Sequence, residues 1–567
     1  MNSRKSREMI RFVMFLCLLS ITFFSRIPLA VAADFFVAPD GLDDNPGTES
    51  LPWRTIQHAA ESLMPGDSVS VRAGTYAEHV IPQRSGTASA PIHYRAFPGE
   101  SPVIDGAAIE LPEWTGLVDL TGLSHIRVSG FRIQNAGPTL HNSGILADTA
   151  DLIVIEHNTT VNTTESGILV WNSSQILIDG NTVESACTYM YNECITVGAS
   201  TRCDISNNLV FNSPKEGICV KDGSSYCRVF GNTVHHTEAT GFYVDAQAEH
   251  THSIEVFNNV SYDGVEDGFT VASEVGGLLE HVLLYNNIAY NNGWVGFDIS
   301  ECCIETHPIH DVMIINNTSV GNGIDWGGGI VVQNPQVEGI VIRNNITSDN
   351  LSFQIAATTL APSGAIVVDH NLIDGFREGE DETRGTDFVE GSPAFVSGST
   401  HDYHLLASSP AIDRAALTGV PGFDMDLGAR WSASPDIGAD EYSDMIPASS
   451  TALWMPSEMF RPADRCALDA VVRSASEPLD SIPLVCILDV LGEYWFWPDW
   501  GHAFAFGRVS ASPGYHVVSL LPEFAWPDTG SDAFTGIVFW AAMTNEDFTE
   551  ILGGEQGLGR WEFGFGG

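Results

Sequence analysis

Gly217-Ile-Cys-Val-Lys-Asp222, Gly241-Phe-Tyr-Val-Asp245, Gly268-Phe-Thr-Val-Ala272 and Gly296-Phe-Asp-Ile-Ser300 are copies of one short pattern, a glycine followed by apolar residues at every second position. Earlier copies begin at Gly144 and Gly167, and a later one at Gly329. Between them runs a second pattern that ends on asparagine, at Asn158, Asn181, Asn208, Asn232, Asn259, Asn287, Asn317, Asn345 and Asn371, with gaps of 23 to 30 residues. A fixed but elastic period of this length is the mark of a solenoid. Alternation with period two selects strands over helices. Runs of four or five residues are too short to form a sheet within one period, so each must pair with its counterpart in the next coil, in parallel ladders about 4.8 Å apart. One asparagine per coil then stacks on the next, amide on amide. The expected fold is all-β, a right-handed parallel β-helix.

The flanks complete the organisation. Residues 1–33 hold Arg4, Lys5, Arg7 and Arg11, an apolar run from Phe12 to Phe24, and small residues at Ala30, Ala32 and Ala33. This reads as a secretory signal cleaved near Ala32 or Ala33, which implies an extracellular, surface or periplasmic destination. No other stretch is long and apolar enough to cross a bilayer. Residues 34–110 read as an N-terminal cap with the first coils, in which Thr55 starts a helix with Ile56, Ala59, Ala60 and Leu63 on one face. A solenoid end needs such a plug, because its first coil would otherwise expose core and strand edges. The β-helix is expected over 111–445. Residues 446–567, rich in paired apolar runs and in aromatics such as Trp454, Tyr494, Trp495 and Trp500, read as a small β-sandwich.

Charge narrows the partners. Outside residues 1–33 the chain carries 20 basic against 71 acidic residues (20 − 71 = −51). A nucleic-acid partner is excluded, since phosphate binding needs a basic footprint. Nine cysteines remain outside that segment; Cys203 and Cys227 fall one coil apart, and Cys466 and Cys486 are placed to bridge neighbouring strands of the last domain. No CxxC pair points to zinc. His250 and His252 alternate as metal ligands do, a weak signal on its own.

Aligned on their glycines, the strands form columns. Residues one and three after each glycine are apolar and face inward, while residues two and four face outward. The outward columns and the turn before the glycine gather Glu193, Glu216, Lys221, Asp222, Tyr243, Asp245, Asp267 and Asp298 on one face, with Glu274 and Glu301 extending the rim. Outside the leader the chain has only two lysines, Lys215 and Lys221. Lys221 is expected to stack against Asp245, and Glu193 against Glu216, a repulsive pair unless a cation such as Ca2+ lies between them, with Asp267 a third ligand. Carboxylates one or two coils apart equally suit acid and base of a glycoside hydrolase. Trp171 and Trp294 are candidate sugar platforms at the edges.

The opening FFVAPDGLDDNPGT (35–48) and PWRTIQHAAESLMPGDSVSVRAGTY (52–76) resembles the start of bacterial secreted β-helix proteins, pectate-lyase-like and alginate or chondroitin lyase-like enzymes among them. That likeness covers roughly residues 34–345 and implies a polysaccharide partner. EGICVKDGSSYCRVFGNTV (216–234) resembles the active-site coil of alginate lyase and chondroitinase B type polysaccharide lyases. The resemblance implies Glu216 as a calcium ligand and Lys221 as the base of a calcium-assisted β-elimination; the coil departs from the pattern at Pro214 and near Val244–Asp245. Under either reading the chain is expected to be a monomer; the competing class is a non-catalytic surface protein that binds glycan or calcium, or an adhesin attached through its C-terminal domain.

Overall fold

The computed structural model describes residues 32–566 apart from 140, 190, 302–306, 380, 431–433, 445 and 529–532. The leader up to residue 31 and the vicinal Cys302-Cys303 pair lie outside the described residues. Three parallel sheets of 14, 13 and 10 strands run the length of the repeat region, each strand pairing with its counterpart one coil away. The 10-stranded sheet holds the glycine pattern, with strands from Thr115–Asp119 to Phe353–Ala357. Its register is the predicted one: Ile168, Ile195, Ile218, Phe242, Phe269, Phe297 and Ile330 form one inward column. The phenylalanine rings of that column stack face to face at 4.7 and 4.8 Å.

The asparagine ladder forms over its whole predicted length. From Asn158 to Asn345, each side-chain amide donates to the carbonyl oxygen of the next asparagine at 3.0 to 3.2 Å, ending on Asn371. The same oxygen accepts the previous asparagine's backbone N–H, as Asn208 Oδ1 does from Asn181 at 2.9 Å. The residue before each rung takes a left-handed conformation: Gly180, Asn207, Gly231, Asn258, Asn286, Asn316 and Asn344 all have positive φ. Glycine and asparagine tolerate that region best, which explains the recurring Gly-Asn and Asn-Asn pairs. A second ladder, Asn292 to Asn322 to Asn350, runs parallel to the first over the last coils.

At the N-terminal end the helix Ile56–Ser62 covers the first coil, its start capped by Thr55 Oγ1, which accepts the His58 amide at 3.1 Å. Beyond the coils, a three-stranded and a six-stranded sheet face each other across a core that includes Leu468, Cys486, Trp495, Trp500 and Phe539. Cys466 and Cys486 sit on different sheets of this sandwich, so they do not bridge neighbouring strands. Cys203 and Cys227 do meet across adjoining coils, thiol to thiol. The sandwich docks on the 14-stranded sheet through Arg228, which reaches both Asp204 (2.7 Å) and Asp469 (2.9 Å), and through Trp454, whose indole N–H donates to Glu255 at 3.0 Å. No described helix is long and apolar enough to cross a membrane.

Candidate functional site

The outward face of the 10-stranded sheet forms a buried floor. Leu169, Thr196 and Cys219 of the second column are fully buried, and Tyr243, Thr270 and Asp298 nearly so. Polar side chains on this floor are therefore desolvated, which makes every unpaired charge costly and every pairing informative.

Lys221 does not turn to Asp245. Its Nζ reaches back one coil and donates to Glu193 Oε1 at 2.9 Å, the two side chains being 10% and 5% exposed. Glu193 Oε2 in turn accepts the Thr196 hydroxyl at 3.0 Å. Burial pulls the Lys221 ammonium down, yet the Glu193 charge outweighs it and holds the amine far above its usual range. Glu216 has its own lysine, Lys215, at 2.8 Å. Asp267 accepts the Val295 amide at 2.9 Å and the Thr270 hydroxyl at 3.1 Å. Glu193, Glu216 and Asp267 thus answer to three separate partners and do not converge as a calcium triad, so their arrangement does not fit the expected ion. The repulsion that called for a cation is relieved by the two lysines, whose charge a single-residue column alignment does not aim.

The aspartates on the floor are the opposite case. Asp245 is fully buried; its Oδ1 accepts the amides of Gln247 (2.8 Å) and Glu274 (3.3 Å), while Oδ2 has no hydrogen-bond partner among the described residues. Burial raises its carboxyl to about 7, with Glu274 adding to the rise and Lys221 opposing it. So sealed, Asp245 shapes the field and the turn rather than touching a polymer. Burial likewise lifts Asp267 to about 7, against its amide and hydroxyl partners. Asp298 is pushed well up by burial and then by the Asp267 charge; its Oδ2 accepts Gln333 Nε2 at 3.1 Å and its Oδ1 has no described partner. Asp222 is half-buried and raised by burial, with Lys221 opposing. Glu274 is fixed by two short bonds, from the Tyr243 hydroxyl and from Gln247 Nε2, both 2.6 Å.

Trp171 is partly exposed at the end of its strand. Its ring lies over Gly198 of the next coil, where an added Cβ would come within 2.0 Å of it, so the tryptophan fills the floor beside Lys221. Sequence reasoning missed the floor's partners, Thr196, Thr270, Gln247 and Gln333, because uncharged residues in a column carry no signal until their carboxylates are placed. It also missed Trp114 and Tyr191, which stand exposed in turns leading into the sheet. His250 Nε2 lies 2.8 Å from Glu280 Oε1, where the carboxylate accepts, at the edge of the 14-stranded sheet. Among described residues only His404, Asp426 and Asp440 bring three potential metal-ligand atoms together. There His404 is held between Asp402 (2.6 Å) and Asp426 (2.7 Å), with Asp426 also gripping Arg473, an ion-paired knot at the join to the sandwich. A cleft of about 780 Å³ between the 14-stranded sheet and the sandwich includes Arg228, Glu255 and Asp469, each engaged by the docking contacts above.

The family described as Pel9A-like, right handed beta helix region matches residues 35–201. The repeat region is similar to pectate-lyase-like β-helix proteins. The match ends before the coil that carries Glu216 and Lys221. An uncharacterized protein, YwoF of Bacillus subtilis (strain 168), is 26% identical over 433 residues, 66% of this chain and 91% of the relative. Pectate lyase PEL9 of Emericella nidulans is 44% identical over 92 residues, 16% of this chain and 22% of that enzyme. Mannuronan C5-epimerase AlgE1 of Azotobacter vinelandii is 34% identical over 96 residues, 17% of this chain and 6% of the epimerase.

Proposed function

We propose that this chain is a secreted enzyme that acts on a polysaccharide lying along this face, by β-elimination at a uronate with Lys221 as the proton-transfer group. The observation that carries the reading is the Lys221–Glu193 pair, a buried amine in the middle of an otherwise acidic floor. Two of the relatives are named for polymers of this kind, pectate and mannuronan. Elimination at a uronate and epimerisation at C5 both begin with loss of the proton beside the carboxylate. In its neutral form Lys221 takes that proton; the bond to the leaving glycosidic oxygen breaks, a double bond forms in the ring, and the Lys221 ammonium returns the proton to the leaving oxygen. General-base assistance of this kind contributes about 10²- to 10⁴-fold. Calcium has no step in this scheme, because Glu193, Glu216 and Asp267 are each already partnered.

A second reading has its own observation. Asp267, its carboxyl raised to about 7, and Asp298, pushed up by burial, are buried carboxyls of the kind a general acid in glycoside hydrolysis requires. Incubating the protein with pectate, alginate, chondroitin and neutral glucans while following unsaturated-product absorbance and reducing ends separates the two. β-Elimination yields both signals together and loses both in Lys221→Ala. Reducing ends without absorbance support the carboxyl pair, and no product on any polymer supports a glycan-binding protein without catalysis.

A further inference from the structure

The turns that lead into the 10-stranded sheet carry aromatic side chains at two places only among the described residues that flank the charged centre. On the N-terminal side, Trp114 immediately precedes the strand Thr115–Asp119 and stacks one face on His141 at 4.3 Å, and Tyr191 closes on the same histidine edge-on at 4.4 Å. Trp114 is 47% exposed and Tyr191 58%. On the C-terminal side, Trp294 precedes Phe297–Ile299 and Trp326 precedes Gly328–Val332, 47% and 49% exposed. These four rings face outward, whereas Phe242, Phe269 and Phe297 stack in the inward column. Strand order puts Lys221 three coils beyond His141, on which Trp114 and Tyr191 close, and three before Trp294. Six strand spacings separate His141 from Trp294, about 29 Å.

Resting on the polysaccharide reading, we infer that the two clusters are sugar-stacking platforms on either side of Lys221, that the glycan lies along the solenoid axis, and that attack is internal rather than from a chain end. The flat faces suit the apolar C–H faces of sugar rings, and the acidic floor between them leaves binding energy to the rims. Platforms on both sides of Lys221 along the strand order hold polymer on either side of the bond it attacks.

The test uses the whole chain. Retardation in native gels containing pectate, alginate or a neutral glucan is measured for the wild type, Tyr191→Ala, Trp294→Ala and Lys221→Ala, with melting temperature as a control on folding. Each aromatic variant is expected to melt like the wild type and to bind about tenfold more weakly, while Lys221→Ala still binds. The first products from the polymer are expected to be oligosaccharides of many lengths, a spread that narrows in Trp294→Ala. Wild-type retardation by no polymer, or unchanged retardation in both aromatic variants, overturns the inference. Release of a single small product from the outset overturns internal attack. Binding that depends on the aromatics without turnover of any polymer leaves the platforms standing and removes the lyase reading instead.

Discussion

Asn259 illustrates what one side chain does in this fold. Fully buried, it donates to Val229 O at 2.8 Å and to Asn287 Oδ1, and its own oxygen takes the Asn232 amide. Asn259→Ala orphans groups in two neighbouring coils, and unpaired buried groups cost about 1–3 kcal/mol each. A clear drop in the denaturant midpoint is expected; a midpoint within error of the wild type would show that the ladder is decorative. The floor aspartates act with the opposite sign. Asp245 is raised to about 7 in the folded chain from about 3.9 when unfolded. The folded state therefore holds the extra proton between those values, so this stability is complete below about pH 4 and is lost as pH rises through 7. Asp245→Asn keeps the carboxyl neutral at all pH. Melting curves at pH 5 and pH 8 are expected to show the variant gaining on the wild type clearly more at the higher pH, and an equal difference at both would refute the burial argument.

Elements were legible in the sequence where geometry repeats. The glycine strands, their inward phenylalanines and every rung from Asn158 to Asn371 follow from period-two alternation and from a coil length that sets who stacks on whom. The second ladder through Asn292, Asn322 and Asn350 was not legible, because three rungs make no visible period. At the site, columns told which residues share a face but not where long side chains point. Lys221 has enough reach to choose between Asp245 beside it and Glu193 a coil back, and the desolvated Glu193, already oriented by Thr196, wins. The same freedom undid the calcium triad. With Glu193 and Glu216 each neutralised by a lysine, a chelator is expected to leave the melting temperature unchanged, whereas Lys221→Met strands Glu193 and lowers it; removing one partner of a buried pair costs about 3–5 kcal/mol. A melt that falls in chelator would restore a metal to the floor.

The whole molecule joins two kinds of sheet through a small set of buried charges. Arg228 is fixed by Asp204 on its own sheet and by Asp469 of the sandwich, and its guanidinium lies 4.7 Å from the Trp454 ring centre. Arg228→Ala leaves two desolvated carboxylates without a cation, so limited proteolysis is expected to release the sandwich from an intact β-helix; cleavage no faster than in the wild type would place the docking energy elsewhere. In an acidic chain, Lys221 is the buried positive charge of the floor, and the account stands or falls on what that lysine does. The decisive measurement is the initial rate of unsaturated-product formation from a polyuronate across pH 5 to 10, with reducing ends followed in parallel. Because Glu193 holds Lys221 protonated, the rate is expected to climb with pH into the alkaline range and to vanish in Lys221→Ala. Reducing ends that appear without absorbance, at a rate that falls as pH rises through 7, would contradict it and assign the chemistry to the buried carboxyls.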